Sequence, residues 1–139
     1  MNTKILSIII PMYNMEKYID KCLQSIINIP TECLECIDVI VVNDGSKDQS
    51  LRIATSYQNK YPGVIRVIDK ENGNYGSCIN AGLSKAIGTY VKVLDSDDYF
   101  SSEGLGAIIE KISSIPVMDM IVTDFDIINS NDEITNHVF

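Results

Sequence analysis

Val91-Lys92-Val93-Leu94-Asp95-Ser96-Asp97-Asp98 is an apolar, β-rich run that ends in three carboxylates within four residues. Side chains alternate along a strand, so positions two apart share a face. If the extended geometry continues past Leu94, Asp95 and Asp97 point the same way. Like charges that close repel, and a hard divalent cation, which prefers oxygen ligands, is one reason for a protein to hold them together. A solvated turn after a strand is the other reading, because Asp and Ser are ordinary turn residues.

Working outward, the apolar, β-branched runs at residues 5–10, 37–42, 64–68, 90–94 and 118–122 read as strands, the last extending towards Asp126. Between them lie apolar faces with helical spacing. Tyr18, Ile19, Cys22 and Ile26 make one, and Leu51, Ala54 and Tyr57 another. Ile79, Leu83 and Ala86 make a third, and Leu105, Ile108, Ile109 and Ile112 a fourth. Ser101-Ser102 offers a cap for the last helix, and Asn129-Ser130-Asn131-Asp132 reads as a turn. The strands recur at roughly the 25–30 residues of one βα unit. Alternating β and α predicts an α/β fold: a mostly parallel central sheet with helices on both faces.

In open α/β sheets, ligands bind at the carboxyl ends of the strands. Strand one ends in Pro11-Met12-Tyr13-Asn14, strand two in Asn43-Asp44-Gly45-Ser46 and strand four in Asp95-Ser96-Asp97. All three polar clusters are therefore expected on one edge of the sheet. Asp44 precedes Gly45, which allows a tight turn. Its carboxylate suits the ring N–H of a pyrimidine; the other reading is an Asx-turn or helix cap, with Asp44 or Ser46 binding backbone N–H groups before Leu51. Tyr13 suits a nucleobase face or the rim of the core. Asn72-Gly73-Asn74-Tyr75-Gly76 is a flexible turn opening a helix, where phosphate is attracted. Gly82 suits close helix–sheet packing.

The chain has 139 residues, 45% hydrophobic and 22% charged, enough for one domain with a buried core. Its net charge of −8 argues against nucleic-acid binding and implies a cation wherever a diphosphate is held. No apolar stretch approaches the roughly 20 residues of a membrane span, and residues 5–10 are too short for a secretory signal, so the N-terminus reads as mature and cytosolic. Cys22, Cys33, Cys36 and Cys78 read as free thiols, since no second pair or nearby His completes the Cys33–Cys36 spacing. His137, the only histidine, lies near the end, which argues against Ser-His-Asp chemistry.

These residues match a family. Ile8-Ile9-Ile10-Pro11-Met12-Tyr13-Asn14, Val41-Val42-Asn43-Asp44-Gly45-Ser46-Lys47-Asp48 and Leu94-Asp95-Ser96-Asp97-Asp98 resemble, in order and spacing, the family-2 glycosyltransferases of the GT-A fold. Asn80-Ala81-Gly82 leading to Ala86-Ile87-Gly88 matches as well. The resemblance covers roughly residues 4–115. It implies inverting transfer of a sugar from a nucleotide-diphosphate sugar, with a UDP-sugar favoured, to a saccharide or lipid-linked acceptor. It implies that Pro11, Tyr13, Asp44 and Gly45 line the nucleoside pocket, with Asp44 on the base. Asp95-Ser96-Asp97 becomes the DxD motif, with Asp97 the firmer ligand of Mn²⁺ or Mg²⁺ and Asp95 nearer the ribose or sugar.

Two departures stand out. Many relatives carry Ala-Arg-Asn where this chain has Cys78-Ile79-Asn80. The family's general base and acceptor site come from residues further on, so the base is expected beyond Phe139, and the late carboxylates Asp124 and Asp126 are not assigned to that role. Residues 1–139 are thus expected to be a single nucleotide-sugar-binding domain, the N-terminal part of a longer enzyme. It is expected in the cytoplasm or at the inner face of a membrane, with any membrane association outside this region. The alternative is a nucleotide-sugar-binding module that transfers nothing. A phosphatase or receiver domain would need a late lysine, and a nucleotidyltransferase a glycine- and arginine-rich loop in place of Pro11-Met12-Tyr13-Asn14.

Overall fold

The nearly unbroken apolar character of the first two strands has a structural cause: both lie inside a parallel sheet covered on both faces. The computed structural model describes residues 3–139. The chain runs β1 (Leu6–Met12), α1 (Ile19–Ile27), α2 (Thr31–Leu34), β2 (Ile37–Asp44), α3 (Ser50–Lys60), β3 (Ile65–Lys70), α4 (Asn74–Leu83), β4 (Tyr90–Val93), α5 (Gly104–Ser114), β5 (Phe125–Ile128) and β6 (Ile134–Val138). The first four strands pair in parallel in the order β3-β2-β1-β4. Every residue of β1 and β2 is buried, whereas the edge strands β3 and β4 mix buried, half-buried and exposed positions.

Ile8, Ile10, Val39 and Val41 point to the face covered by α1, α3 and α5, in one cluster with Ile19, Leu23, Ala54, Tyr57, Leu105 and Ile109. Ile9, Ile40 and Val42 point the other way and pack on Cys78 of α4. The connection from β3 to β4 thus crosses the sheet on the face opposite the other helices. Strand order reverses between β1 and β4, which is where an open α/β sheet leaves a crevice for ligand. Gly82 allows α4 to lie close: a Cβ there would sit 2.5 Å from Ile9 Cγ2.

At the amino ends of the strands, a buried polar network locks this crossover. Arg66 donates from Nε and Nη2 to the two oxygens of buried Asp38, each at 2.9 Å. Ser7 Oγ donates to Asp38 Oδ2 at 2.9 Å and accepts from Gly88 N at 2.8 Å. Ser7 and Asp38 are thus tolerated inside the two central strands because each is hydrogen-bonded.

Three expectations need correction. Residues 118–122 form no strand. Val117, Met118, Met120 and Val122 are exposed, and the later strands β5 and β6 pair with each other as an antiparallel hairpin. An apolar run becomes a strand only where a partner edge satisfies its backbone, and here local pairing across the turn at Asn129–Asp132 prevails, with Asp132 N donating to Asn129 O at 3.0 Å. On the α4 face Ile79 and Ala86 pack against the sheet as expected, but Leu83 is exposed, and the fully buried α4 residues are Cys78 and Gly82. Before α5, Ser101 Oγ accepts from Gly104 N, but the residue flanking the helix is Glu103, without a side-chain cap. The four cysteines are free thiols.

Candidate functional site

A cavity of about 610 Å³ opens at the carboxyl ends of β1, β2 and β4. It is lined by Pro11, Met12, Tyr13 and Met15, by Asp44, and by Asp95, Ser96 and Asp97. The loop entering α4 closes it with Asn72, Asn74, Tyr75 and Cys78. The three strand-end clusters therefore converge on one rim. Of the donor-site residues singled out by sequence, Gly45 alone does not line the cavity. It turns the chain at φ +72°, and a Cβ there would lie 3.1 Å from Asn72 N, so its role is to let two loops touch.

Much of the Asn43–Asp48 segment acts on the neighbouring loop. Asn14 N donates to Ser46 Oγ at 3.0 Å, and Lys47 N donates back to Asn14 Oδ1 at 2.8 Å. Met15 N donates to Ser50 Oγ at 2.7 Å, and Glu16 N to Asp48 Oδ2 at 3.1 Å. These reciprocal bonds fix the loop that presents Pro11 and Tyr13. Tyr13 is 45% exposed, with its ring open to a ligand rather than used in the core.

Asp44 is almost fully buried and heavily engaged. Its Oδ1 accepts from Lys70 Nζ at 2.8 Å and from Gly73 N at 2.8 Å, and its Oδ2 accepts from Asn74 N at 3.0 Å. It therefore caps α4, not α3, whose first turn uses Asp48 Oδ1 on Ser50 N. The amino end of α4 was expected to attract phosphate; Asp44 supplies the anion there instead. Burial opposes its ionisation, yet the Lys70 ammonium and the Gly73 N–H outweigh burial and hold the carboxyl below its ordinary range. The Cys78 thiol adds a further side-chain hydrogen bond to the same carboxylate.

At the end of β4 the extended geometry stops at Val93. Asp98 N donates to Asp95 O at 2.9 Å, closing a turn in which Ser96 is buried and Asp95, Asp97 and Asp98 are exposed. The turn, not strand alternation, brings the carboxylates together. It also adds Asp98, which the sequence reading left out of the ligand set although it stands in the same acidic run. Oxygens of Asp95, Asp97 and Asp98 lie within 4.8 Å of one another. Burial, then the charges of Asp97 and Asp95, raise the Asp98 carboxyl above its ordinary range. Among the described residues, no lysine or arginine forms an ion pair with these three. Three converging carboxylates without a fixed counter-charge are a donor set that fits a hard divalent cation.

Tyr75 Oη donates to Asp95 Oδ1 at 2.7 Å, and this bond raises the phenol above its usual range. Two thiols flank the site. Burial, with Asp98 and Asp97, pushes Cys22 up to about 12, and burial with the Asp44 charge raises Cys78. Both stay protonated and are no nucleophiles at neutral pH. The end of the chain stands apart from the cavity. Asp126 is paired across the hairpin with His137 at 2.5 Å. Phe139, the residue beyond which the general base is expected, does not line the cavity either: its ring is 95% exposed and stacks on His137, with centroids 6.2 Å apart. Asn72, Asn74, Tyr75 and Lys70 were missed as site residues; the Asn-Gly-Asn turn carried the signal, but its aim at Asp44 is a tertiary fact.

Comparison with known proteins agrees with this geometry. The family model described as Glycosyl transferase family 2 matches residues 7–138. An uncharacterised glycosyltransferase, EpsJ, of Bacillus subtilis (strain 168) is 44% identical over 98 residues, which are 70% of this chain and 27% of EpsJ. The minor teichoic acid biosynthesis protein GgaB of the same organism is 44% identical over 95 residues, 68% of this chain and 10% of GgaB. Among solved structures, S. aureus TarS 1-349 in complex with UDP-GlcNAc superposes with a TM-score of 0.69 at 37% identity, covering 78% of this chain and 31% of TarS. The chain spans less than a third of the length of these relatives. Fold, strand-end motifs and a match along almost the whole described length agree: the chain belongs to glycosyl transferase family 2, with the GT-A fold.

Proposed function

We propose that this chain is the donor-binding part of a longer inverting glycosyltransferase, which moves a sugar from a UDP-sugar to a saccharide or lipid-linked acceptor. The observation that carries the reading is the single cavity that Tyr13, Asp44, Asp95 and Asp97 share at the strand-order reversal. The bound UDP-GlcNAc of TarS, at 37% identity, favours uridine. In this reading, Pro11 and the exposed Tyr13 ring take the base face. The Asp44 carboxylate, which lines the cavity, accepts the ring N–H, in a loop that Lys70 and the α4 cap hold in place. Asp97 and Asp95, with Asp98 beside them, would hold Mn²⁺ or Mg²⁺. A cation there would supply the positive charge that a leaving diphosphate needs on so acidic a chain.

Among the described residues, the carboxylates that line the cavity are Asp44, Asp95 and Asp97, and each has a donor-side task. In this reading the deprotonation of an acceptor hydroxyl that inversion requires falls to residues beyond Phe139, as the resemblance to the family implies. This is also what favours the second reading, that residues 1–139 by themselves bind donor without transferring sugar. Among the described residues no helix is long and apolar enough to cross a membrane.

A thermal-shift panel of UDP, GDP and CDP, each with and without Mn²⁺, tests the proposal. UDP with Mn²⁺ is expected to give the largest rise in melting temperature, on the scale of a ligand at 100 times its Kd, which adds about 2.7 kcal/mol. Equal responses to all three nucleotides, or none, would overturn it.

A further inference from the structure

We infer that Tyr75 is a positioning residue of the donor site: its hydroxyl holds Asp95 in the orientation in which that carboxylate meets the diphosphate and its cation. The inference rests on the donor-site reading above. Tyr75 stands in the first turn of α4, and Asp95 follows β4, so the 2.7 Å bond joins two separate walls of the cavity that both residues line.

The contact has the marks of a site device rather than a fold device. Tyr75 is 55% exposed, so its ring contributes little to the core. Asp95 shares its turn with two carboxylates that repel it, and the phenol is a donor that opposes this. It occupies Oδ1 and leaves Oδ2 for ligand. Its own placement is fixed from below: Asn74 has a φ of +70°, a left-handed conformation that Asn tolerates, and its N–H is bonded to Asp44 Oδ2. The first turn of α4 thereby links Asp44, on β2, to Asp95, beyond β4. One turn further on, Ile79 packs with the apolar cluster on that face of the sheet and brings no polar group. Tyr75 is the residue through which α4 reaches the acidic turn.

The test is calorimetric titration of the chain with UDP in MnCl₂. Tyr75→Phe keeps the ring, deletes the donor and leaves the melting temperature of the free protein nearly unchanged, as for other exposed positions. The inference expects the Kd for UDP to rise by about tenfold, the scale of a lost hydrogen bond to a charged group. In an Asp95→Ala background the same change should add nothing, because the two residues act as one unit. If Asp95→Ala binds too weakly to titrate, the ratio of UDP affinities in Mn²⁺ and in EDTA decides: it shrinks in Tyr75→Phe if the hydroxyl acts through Asp95. An unchanged Kd in Tyr75→Phe, equal losses in both backgrounds, or an unchanged metal ratio overturns the inference and leaves the donor site standing. Failure of the wild-type chain to bind UDP with Mn²⁺ overturns the donor-site reading and this inference with it.

Discussion

Asp44 carries more of the structure than its place in a strand-end motif suggests. Its carboxylate is the anion at the head of α4, the partner of Lys70 and a wall of the cavity. Asp44→Ala removes three hydrogen bonds to a charged, buried group and leaves Lys70, only 23% exposed, without its counter-ion. We expect a loss of about 2–4 kcal/mol, read as a lower urea midpoint at unchanged m-value. The pH dependence follows from the direction of its shift. A carboxyl held below its unfolded value of 3.8 stabilises the fold above that pH, and the contribution disappears as pH falls through the folded value. Acid unfolding of Asp44→Asn should therefore be less steep than that of wild type below about pH 4. Sequence made Asp44 a site residue because it follows a strand and precedes Gly45. It could not name Lys70, Gly73 and Asn74 as partners, because they lie 26 to 30 residues away: Lys70 meets it through the pairing of β2 with β3, and Gly73 and Asn74 where the chain turns into α4.

At the scale of elements, α4 decides whether the cavity exists. It is the helix packed on Ile9, Ile40 and Val42, and its first turn closes the crevice between β1 and β4. Gly82 sets its distance from the sheet. Gly82→Ala should gain helix propensity but force a methyl to within 2.5–3.0 Å of three side-chain atoms of buried Ile9. Overpacking of this kind costs about 1–3 kcal/mol, and a fall in the urea midpoint with weaker nucleotide binding would register both the strain and the displaced first turn. The strands were legible because central parallel strands carry long apolar runs, as Ile8–Ile10 of β1 and Val39–Val42 of β2 do. The inward residues Cys78 and Gly82 of α4 were not, because they carry less hydrophobic signal than Leu83, which fits the helical spacing yet is exposed. Residues 118–122 misled for the opposite reason: their composition suits a strand, but they pair with no neighbouring edge.

For the whole molecule, topology turns three distant segments into one site. The order β3-β2-β1-β4 puts the ends of β1, β2 and β4 side by side, although 84 residues separate Pro11 from Asp95 in sequence. This convergence was legible in advance because one rule, ligand at the carboxyl ends of strands, applied to all three motifs. Which atoms point inward was not, since the acidic turn departs from strand geometry after Val93. On a chain of net charge −8, a diphosphate held beside three carboxylates requires a cation. The decisive measurement is therefore calorimetry of UDP binding, with Mn²⁺ and with EDTA, for wild type, Asp97→Ala and Asp44→Ala. Mn²⁺ is expected to strengthen binding to wild type by at least about tenfold, the ordinary scale of coupling between two ligands. Asp97→Ala should lose this increment, and Asp44→Ala should bind more weakly in both conditions but keep it. An Mn²⁺ increment of the same size in Asp97→Ala and wild type would contradict the claim that these strand ends form one cation-dependent nucleotide site.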